Sequence, residues 1–336
     1  MPSVVSLVPL KRFQDTGVGL PQGWRFQFLD TYTEDDVIAA CQGADFLLAK
    51  SGYSIKISSR IIENIPSVRL IQMDGVGCDT VDLDAAATHN LPAANNAGQN
   101  AGAVAELTIS LIVALQRYLL EADRDIKNGN YTRVRTKLLA SGLREIRDTK
   151  LGLVGFGAIG REVAKVAGVM GARISYYDAY RPAKDIEAEL KAAYKPLDEV
   201  LAGSDVISMH VPLNEKTQGM IGRREFGLMR SGSLFINTAR GEVVDQAALA
   251  EVLESGHLGG AAIDTLSPEP PSPDHPLLKL SPAARDRLII TPHLAGVTVN
   301  AFRRMLLNAL ENMELVSEGK APKYVVNGVL NPRTPK

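Results

Sequence analysis

Apolar and polar positions alternate in two distinct periods from the start of the chain. Apolar strand-like runs and amphipathic helix-like stretches follow one another at Val4–Val8, Thr33–Cys41, Ala44–Ala49, Ser58–Asn64 and Arg69–Met73. This succession is typical of β–α units, which build a parallel sheet covered by helices. We therefore predict an α/β fold with a parallel sheet in the N-terminal part of the chain.

The same alternation returns after residue 150. Runs rich in valine and isoleucine predict strands at Leu151–Val154, Ala172–Asp178, Asp205–Pro212, Ser233–Arg240, Gly260–Leu266 and Leu288–His293. Helical patterns lie between them, such as Asp245–Ser255, which ends at Gly256 as a helix stop would. This many strands predict a second, Rossmann-like, doubly wound sheet.

The segment between the two regions predicts a crossing from one domain to another. An Asn- and Gly-rich loop over 91–100 precedes one long helix, predicted over 101–127, and the polar segment 128–150 is either an arm over a partner subunit or a solvated connector. A last amphipathic helix covers 300–318. We expect 1–99 and 297–336 to share one domain, into which a second domain, 100–296, is inserted.

A glycine pattern lies where the second region begins. Gly155, Gly157 and Gly160 directly follow the strand at 151–154, as in a turn that brings backbone N–H groups and a helix N-terminus to a pyrophosphate. Asp178 ends the next strand, where a carboxylate would accept ribose hydroxyls. The alternatives are an ordinary glycine turn and a solvated acid at a strand end.

Composition narrows the class of function. The 336 residues are 45% hydrophobic and 22% charged with a formal net charge of −1, which argues against nucleic-acid or anionic-membrane partners. Cys41 and Cys78 do not have metal-ligand spacing and are expected to be reduced and buried. The N-terminus predicts a first strand rather than a signal peptide, so we expect a soluble cytoplasmic protein that binds no metal.

Several polar residues come at or just after predicted strand ends, where α/β proteins bind ligands. His89, His257 and His275 lie in polar turns and are expected at the surface, whereas His210 and His293 end strands. If a bound dinucleotide transfers a hydride to a 2-oxo acid, the site needs an anchor for the substrate carboxylate, a proton donor for its carbonyl oxygen and a negative group beside that donor. Arginine, histidine and carboxylate suit these roles, and the alternative is a set of unrelated strand-end groups. The candidates are Arg240, Asp264, Glu269 and His293.

Five motifs together resemble a known family. They are Gly155–Gly160, His210–Thr217, Asn237–Gly241, Asp264 with Glu269-Pro270, and Thr291–Gly296. The set looks like the D-isomer-specific 2-hydroxyacid dehydrogenases, closest in outline to their D-3-phosphoglycerate dehydrogenase and hydroxypyruvate or glyoxylate reductase branches. The likeness runs from about Asp45 to the C-terminus.

The resemblance implies roles for individual residues. It implies that Arg240, Glu269 and His293 are catalytic, that the cofactor is NAD, with NADP disfavoured, and that the protein is a homodimer built mainly through the NAD-binding domain. The implied NAD contacts are Val104, Gly155, Phe156, Gly157, Ala158, Ile159, Gly160, Asp178, His210, Val211, Pro212, Thr217, Thr238, Ala239, Arg240, Asp264, His293 and Gly296. The implied contacts to a small 2-oxo or 2-hydroxy acid are Lys50, Ser51, Gly52, Gly75, Val76, Gly77, Arg240 and His293.

Two departures from the family pattern leave the substrate open. Lys50 stands where many relatives have arginine, and Thr265 follows Asp264 where phenylalanine is frequent. Because lysine lacks the guanidinium fork, a phosphorylated substrate becomes less secure. An NAD-sensing binding protein of corepressor type remains the alternative of a different class. Formate dehydrogenase is disfavoured, since that branch has glutamine where Glu269 stands.

Overall fold

The computed structural model describes residues 1–52, 55–331 and 333. The chain folds into two compact units: Met1–Asn100 with Val297–Lys336, and Ala101–Gly296. Each unit is an α/β structure with its own parallel sheet.

The first unit contains a five-stranded sheet in the order β2-β1-β3-β4-β5. Its strands are β1 (Ser3–Ser6), β2 (Arg25–Phe28), β3 (Phe46–Ala49), β4 (Leu70–Met73) and β5 (Ala93–Ala94), all parallel. Its helices are α1 (Leu10–Thr16), α2 (Glu34–Ala40), α3 (Ser59–Glu63), α4 (Leu83–Thr88) and α14 (Val299–Ser317). The three middle strands β1, β3 and β4 are completely buried, as expected of a parallel sheet covered on both faces.

The second unit contains a seven-stranded sheet in the order β12-β11-β10-β9-β6-β7-β8. Its strands are β6 (Lys150–Val154), β7 (Arg173–Tyr177), β8 (Ala192–Tyr194), β9 (Val206–Met209), β10 (Leu234–Asn237), β11 (Gly260–Ile263) and β12 (Leu288–Ile290). The chain winds outward from β6 to one side and then returns to β9 on the other. The carboxyl ends of β6 and β9 therefore form the switch point at which doubly wound sheets bind ligands.

Helices cover both faces of this second sheet. They are α5 (Ala101–Gln116), α6 (Leu119–Lys127), α7 (Tyr131–Ala140), α8 (Ala158–Val169), α9 (Lys184–Leu190), α10 (Leu197–Gly203), α11 (Arg223–Leu228), α12 (Gln246–Glu254) and α13 (Pro282–Arg285), with short 3-10 turns at Gly241–Val243 and Pro276–Leu278. One hydrophobic core lies under α5 and α8, and another lies under α10, α11 and α12. The predicted α/β architecture with two parallel sheets is confirmed.

Two predictions about local structure were wrong. The helix expected over 101–127 breaks after Gln116, because Tyr118 has φ 51°, a left-handed conformation that an α-helix cannot continue through. The segment 91–100, predicted as a loop, contains β5, which pairs with β4. The segment 128–150, predicted as either an arm over a partner subunit or a solvated connector, contains α7, which packs against α6.

Among the described residues, no single helix is long and apolar enough to cross a membrane. Within the same residues, only α5 and α6 taken together have the length and apolar composition of a membrane span, and they are bent by 59° at their break.

Candidate active and cofactor-binding site

The glycine loop after β6 is built so that two of its glycines cannot carry a side chain. Gly155 has φ 99°, and a Cβ there would lie 2.6 Å from the carbonyl of His210 at the end of β9. A Cβ on Gly160 would lie 2.3 Å from the oxygen of Gly155. Both distances are far below van der Waals contact, so these glycines allow β6, β9 and α8 to approach closely.

The middle glycine faces open space instead. A Cβ built on Gly157 meets no described atom within 4 Å, and Gly157 is the N-cap of α8. The N–H groups of the first turn of a helix lack intrahelical partners and attract anions. Open space in front of these donors fits the pyrophosphate of a dinucleotide, with Ala158 and Ile159 in the first turn.

Asp178 follows β7 and closes this loop from the side. Its Oδ2 accepts a hydrogen bond from the Phe156 amide at 2.6 Å, and its Oδ1 accepts one from the Tyr180 amide at 2.8 Å. An ionised carboxylate has about four lone-pair sites, so acceptor capacity remains for two ribose hydroxyls. The side chain is half-buried. The arrangement therefore fits the ribose of a bound cofactor.

The segment after β9 begins with a partly buried, neutral histidine. His210 Nε2 lies 2.9 Å from Ser208 Oγ, and burial lowers the pKa of His210 to about 3. Its buried Nδ1 has no hydrogen-bond partner among the described residues. Val211 and Pro212 follow, and Thr217 closes the turn by donating to the Pro212 carbonyl at 2.6 Å. This histidine is suited to hydrogen bonding rather than to proton transfer near neutral pH.

The turn after β10 positions Arg240. The Asn237 side chain accepts from the Ala239 amide at 3.0 Å and donates to the Arg240 carbonyl at 2.8 Å. One Arg240 Nη donates to the Ala239 carbonyl at 2.8 Å, and Thr238 Oγ1 lies 3.2 Å from Thr108 Oγ1 on α5. A Cβ on Gly241 would lie 2.3 Å from the Leu266 backbone, so this turn presses against the segment that follows β11.

Two acids follow β11 and hold the turn after β12. Asp264 is buried, and its carboxylate accepts from the Thr291 hydroxyl at 2.5 Å and from the amides of Leu294 and Ala295 at 2.8 and 2.9 Å. Glu269 accepts from the Leu266 amide at 2.9 Å with Oε1. Its Oε2 lies 2.8 Å from Nδ1 of His293. The structure thus brings Glu269 and His293 together as a hydrogen-bonded pair.

The charge state of Glu269 follows from these contacts. Burial by itself would raise the pKa of Glu269, but the hydrogen bond with His293, the Leu266 amide, and the charges of His293 and Arg240 lower this pKa below the usual value. Glu269 is therefore an anion at neutral pH, and the charge of Arg240 is close enough to contribute. An anionic acceptor at Nδ1 holds a proton on that nitrogen, so Nε2 carries a proton only in the imidazolium form and can accept one in the neutral form.

Two other predicted cofactor contacts lie near the first and the last residue of this unit in the sequence. Val104 is buried on α5, and its carbonyl accepts from the Thr108 hydroxyl at 2.8 Å. Gly296 is the last residue of the unit.

In the first unit, the two predicted substrate-binding segments lie side by side. Lys50–Gly52 follows β3 and Gly75–Gly77 follows β4, and these strands are neighbours in the sheet. Ser51 donates through its amide to Asp74 Oδ1 at 2.7 Å, and a Cβ on Gly75 would lie 2.5 Å from Ser51 Oγ. Because β3 and β4 are parallel neighbours, both segments lie at the carboxyl ends of the strands of this sheet.

The carbonyls of the glycine segment are engaged, whereas its amides are not. The Gly75 carbonyl accepts from the Asn96 amide at 3.0 Å, and the Val76 carbonyl accepts from the Asn95 side chain at 2.7 Å. Within the described part of the chain, no acceptor pairs with the amides of Gly75, Val76 and Gly77. Successive backbone amides without an acceptor can bind an anion.

Sequence reasoning missed several residues that shape these sites. Asp74 is almost completely buried, which raises its pKa despite the Ser51 amide and the charges of Arg12 and Lys50. It holds the Ser51 segment through the Ser51 amide, and its position directly after β4 was a usable signal. The expectation of a surface His275 was wrong, because His275 is buried with Nε2 3.2 Å from the Ser267 carbonyl. No cluster of metal-binding side chains occurs in the described ranges.

Comparison with known proteins points to one family. The sequence model described as "D-isomer specific 2-hydroxyacid dehydrogenase, NAD binding domain" matches residues 109–295. A glyoxylate reductase from Aeropyrum pernix is 34% identical over 275 residues, which cover 81% of this chain and 80% of that protein. A hydroxypyruvate reductase from Thermotoga maritima is 33% identical over 280 residues, covering 83% and 87% of the two chains.

Solved structures agree with the sequence comparison. The holo form of D-mandelate dehydrogenase from Rhodotorula graminis superposes with a TM-score of 0.86 at 25% identity, over 98% of this chain and 99% of that chain. D-Lactate dehydrogenase with NAD⁺ from Lactobacillus jensenii gives a TM-score of 0.78 at 26% identity, over 97% and 99%.

Proposed function

The chain belongs to the family of D-isomer-specific 2-hydroxyacid dehydrogenases, and on that premise we propose that it interconverts a small 2-oxo acid and its D-2-hydroxy acid with NAD as cofactor. The observation that carries this proposal is the contact of His293 with Glu269, beside a turn that carries Arg240. These three side chains follow β12, β11 and β10, which are adjacent strands. A proton donor, the carboxylate that keeps it charged and a guanidinium are the groups that this reaction requires.

Each side chain has a defined task in the proposed reaction. The bound nicotinamide supplies or removes the hydride at the substrate carbon. In the direction of reduction, His293 donates the proton from Nε2 to the carbonyl oxygen, while Glu269 holds Nδ1 and stabilises the imidazolium form. Arg240 binds the substrate carboxylate and polarises the carbonyl oxygen through its fork of N–H groups. In oxidation the same histidine accepts the proton.

The cofactor contacts are proposals that rest on the geometry of the loop. The open space at Gly157 and the N-terminus of α8 suit the pyrophosphate, and Asp178 suits the adenosine ribose. The remaining contacts predicted from the resemblance, including Val104, Thr238 and Asp264, stay part of the proposal. We propose NADH over NADPH because the Asp178 carboxylate would repel a 2′-phosphate.

In the first unit we propose that the Gly75–Gly77 amides bind an anionic group of the substrate. This proposal is supported by the hydrogen bonds of the segment. The carbonyls of Gly75 and Val76 accept from Asn96 and Asn95, whereas the amides of the segment remain available as donors. Lys50, Ser51 and Gly52 are proposed to flank this group. The relatives that the chain matches are named as reductases of glyoxylate and hydroxypyruvate, which makes small 2-oxo acids the first substrates to test.

A panel of 2-oxo acids tests the proposal. NADH oxidation would be followed with glyoxylate, hydroxypyruvate, pyruvate, phenylglyoxylate and a phosphorylated 2-oxo acid, and the product configuration would be assigned by chiral chromatography. Rapid turnover of at least one acid to a D product supports the enzyme. Tight NADH binding without turnover across the panel would instead support the NAD-sensing alternative, and formation of an L product would overturn the assignment.

We also propose that the protein is a homodimer through its second unit. Helices α6 and α7 expose large apolar side chains: Leu119, Leu120, Ile126, Tyr131 and Leu139. Apolar surface concentrated on two neighbouring helices marks an interaction site. Sedimentation equilibrium should give twice the mass of the chain, and Leu139→Glu should weaken the dimer, whereas Val169→Glu, at an exposed valine on α8, should not. A monomeric wild type at micromolar concentration would refute this proposal.

A further inference from the structure

An arginine near the proposed ribose site is held by a glutamate of the following helix. Arg181 donates from Nε to Glu187 Oε1 at 2.6 Å and from an Nη to Oε2 at 2.8 Å. This is a two-bond pair of a guanidinium and a carboxylate, in which both oxygens and one edge of the guanidinium are used. Although the Arg181 side chain is half exposed, its best-directed donors are therefore already engaged.

The glutamate is itself fixed in place. Glu187 lies on α9 with its side chain only 12% exposed, and it also accepts a hydrogen bond from the buried Tyr176 hydroxyl. Tyr194 on β8 packs its ring 4.9 Å below the Arg181 guanidinium and edge-on to Tyr176. These contacts give the ion pair a defined geometry, which separates it from an ordinary mobile surface pair.

The pair is linked to the cofactor loop from two directions. Tyr176 stacks on Phe156 of the glycine loop, with ring centroids 3.9 Å apart. Asp178 accepts from the Tyr180 amide, which fixes the turn that leads directly to Arg181. Arg181 thus follows Asp178, the proposed contact of the ribose, by three positions in the same turn.

We infer that Glu187 is a second determinant of cofactor choice, which acts by holding Arg181 away from the 2′-phosphate of NADP. Glu187 occupies the Nε edge of the guanidinium and balances its charge, so a 2′-phosphate gains full compensation from Arg181 only when this carboxylate is displaced. Asp178 disfavours the phosphate by repulsion, and Glu187 disfavours it by withdrawing the compensating charge. This inference rests on the cofactor site proposed above.

Nucleotide fragments test the inference without turnover. Calorimetry would measure the Kd of 2′,5′-ADP and of 5′-AMP for the wild type and for Glu187→Gln, which keeps the side-chain shape and loses its charge. Because Asp178 is unchanged, the ratio of the two Kd values isolates the release of Arg181. The ratio should shift by about tenfold toward 2′,5′-ADP, through a lower Kd of that ligand, while 5′-AMP changes by less than about twofold.

Three controls make the result specific. Glu189→Gln removes a charge from an exposed residue of the same helix and should leave the ratio unchanged. Adding Arg181→Ala to Glu187→Gln should abolish the gain. Arg181→Ala alone should leave the wild-type ratio nearly unchanged, since the guanidinium is already engaged, and this variant serves if Glu187→Gln does not fold.

The outcomes separate the inference from the proposal beneath it. An unchanged ratio in Glu187→Gln, an equal gain in Glu189→Gln, or a gain that persists without Arg181 would overturn the role of Glu187. A large loss of 2′,5′-ADP binding in Arg181→Ala alone would show that the arginine is not withheld. If the wild type binds neither 5′-AMP nor NADH, the cofactor site itself is wrong.

Discussion

His293 has a left-handed backbone conformation, with φ 55°, and its Nδ1 lies 2.8 Å from Oε2 of Glu269. Such a conformation is uncommon for a residue other than glycine and must be supported by its surroundings. Here the His293 amide donates to the Asp264 carbonyl at 2.7 Å, and the Asp264 side chain accepts from Leu294 and Ala295. The fold therefore stabilises a strained residue in order to direct its ring toward Glu269.

The first prediction concerns pH. The pKa of Glu269 is lowered, so its carboxylate is charged throughout the neutral range. The negative charge is lost only as pH falls through that lowered pKa. In Glu269→Gln the proton donor loses its anionic partner, so the alkaline limb of kcat/KM for reduction should move to lower pH. Oxidation, which needs the neutral ring, should lose less activity near pH 7.

Paired pH–rate profiles of wild type and variant, in both directions, measure this effect. Glu254→Gln, which removes a carboxylate elsewhere in the second unit, is the matched control. An alkaline limb that stays in place in Glu269→Gln would show that Glu269 does not govern the protonation of His293.

The second prediction is that Arg240 does not tolerate lysine. Lysine keeps the positive charge but loses the fork that binds two oxygens at once. The free energy of transition-state stabilisation, measured from kcat/KM, should therefore fall by ~2–4 kcal/mol. The Kd of NADH should barely change. Arg223→Lys, at an exposed ion pair with Glu251, is a control that should keep wild-type kinetics. Near wild-type turnover by Arg240→Lys would mean that Arg240 has a structural role only.

The third prediction concerns the choice of cofactor. Repulsion between Asp178 and a 2′-phosphate, at a few kcal/mol in a partly dry site, should favour NADH over NADPH by ~10² in kcat/KM. Asp178→Asn keeps an acceptor for the Tyr180 amide and removes the charge, so this preference should shrink. Steady-state kinetics with both cofactors provide the measurement. A wild type that uses NADPH as well as NADH contradicts the assignment of Asp178.

Local sequence signals predicted the elements that depend on local physics. The glycine pattern at 155–160 requires a tight turn, close packing and a helix start, and all three are present. The α12 helix begins after the Asp245 cap, with Gly256 just beyond its end, as its pattern predicted. Tyr118 carried no such signal, because neither glycine nor proline marks the position where α5 breaks.

Side-chain partners far apart in sequence were not predictable in the same way. Glu187 meets Arg181 and Tyr176 only because the turn after Asp178 has one particular geometry. His275 looked like a surface residue in a polar turn, but the carbonyl of Ser267 provides a buried acceptor for it. The pair of Glu269 and His293 was expected from their positions after strand ends and from the family resemblance, whereas the contacts by which the Asp264 carboxylate holds the His293 turn became visible only in three dimensions.

The last prediction uses the glycines to separate stability from cofactor binding. Gly160→Ala places a Cβ 2.3 Å from the Gly155 oxygen, so the contact between α8 and the loop must open, at a cost of ~1–3 kcal/mol or more. Gly157→Ala meets no described atom and should lower the free energy of unfolding by no more than ~1 kcal/mol, the cost of replacing a glycine N-cap, yet its methyl group enters the space proposed for the pyrophosphate. The Kd of NADH should then rise by at least about tenfold in Gly157→Ala.

Gly168→Ala, in open space within α8, is the control for helix propensity and should stabilise the protein by up to ~1 kcal/mol without affecting the Kd of NADH. Urea unfolding and NADH fluorescence titrations of the three variants give both quantities. Unchanged NADH binding in Gly157→Ala would contradict the proposal that the pyrophosphate lies in the open space in front of Gly157.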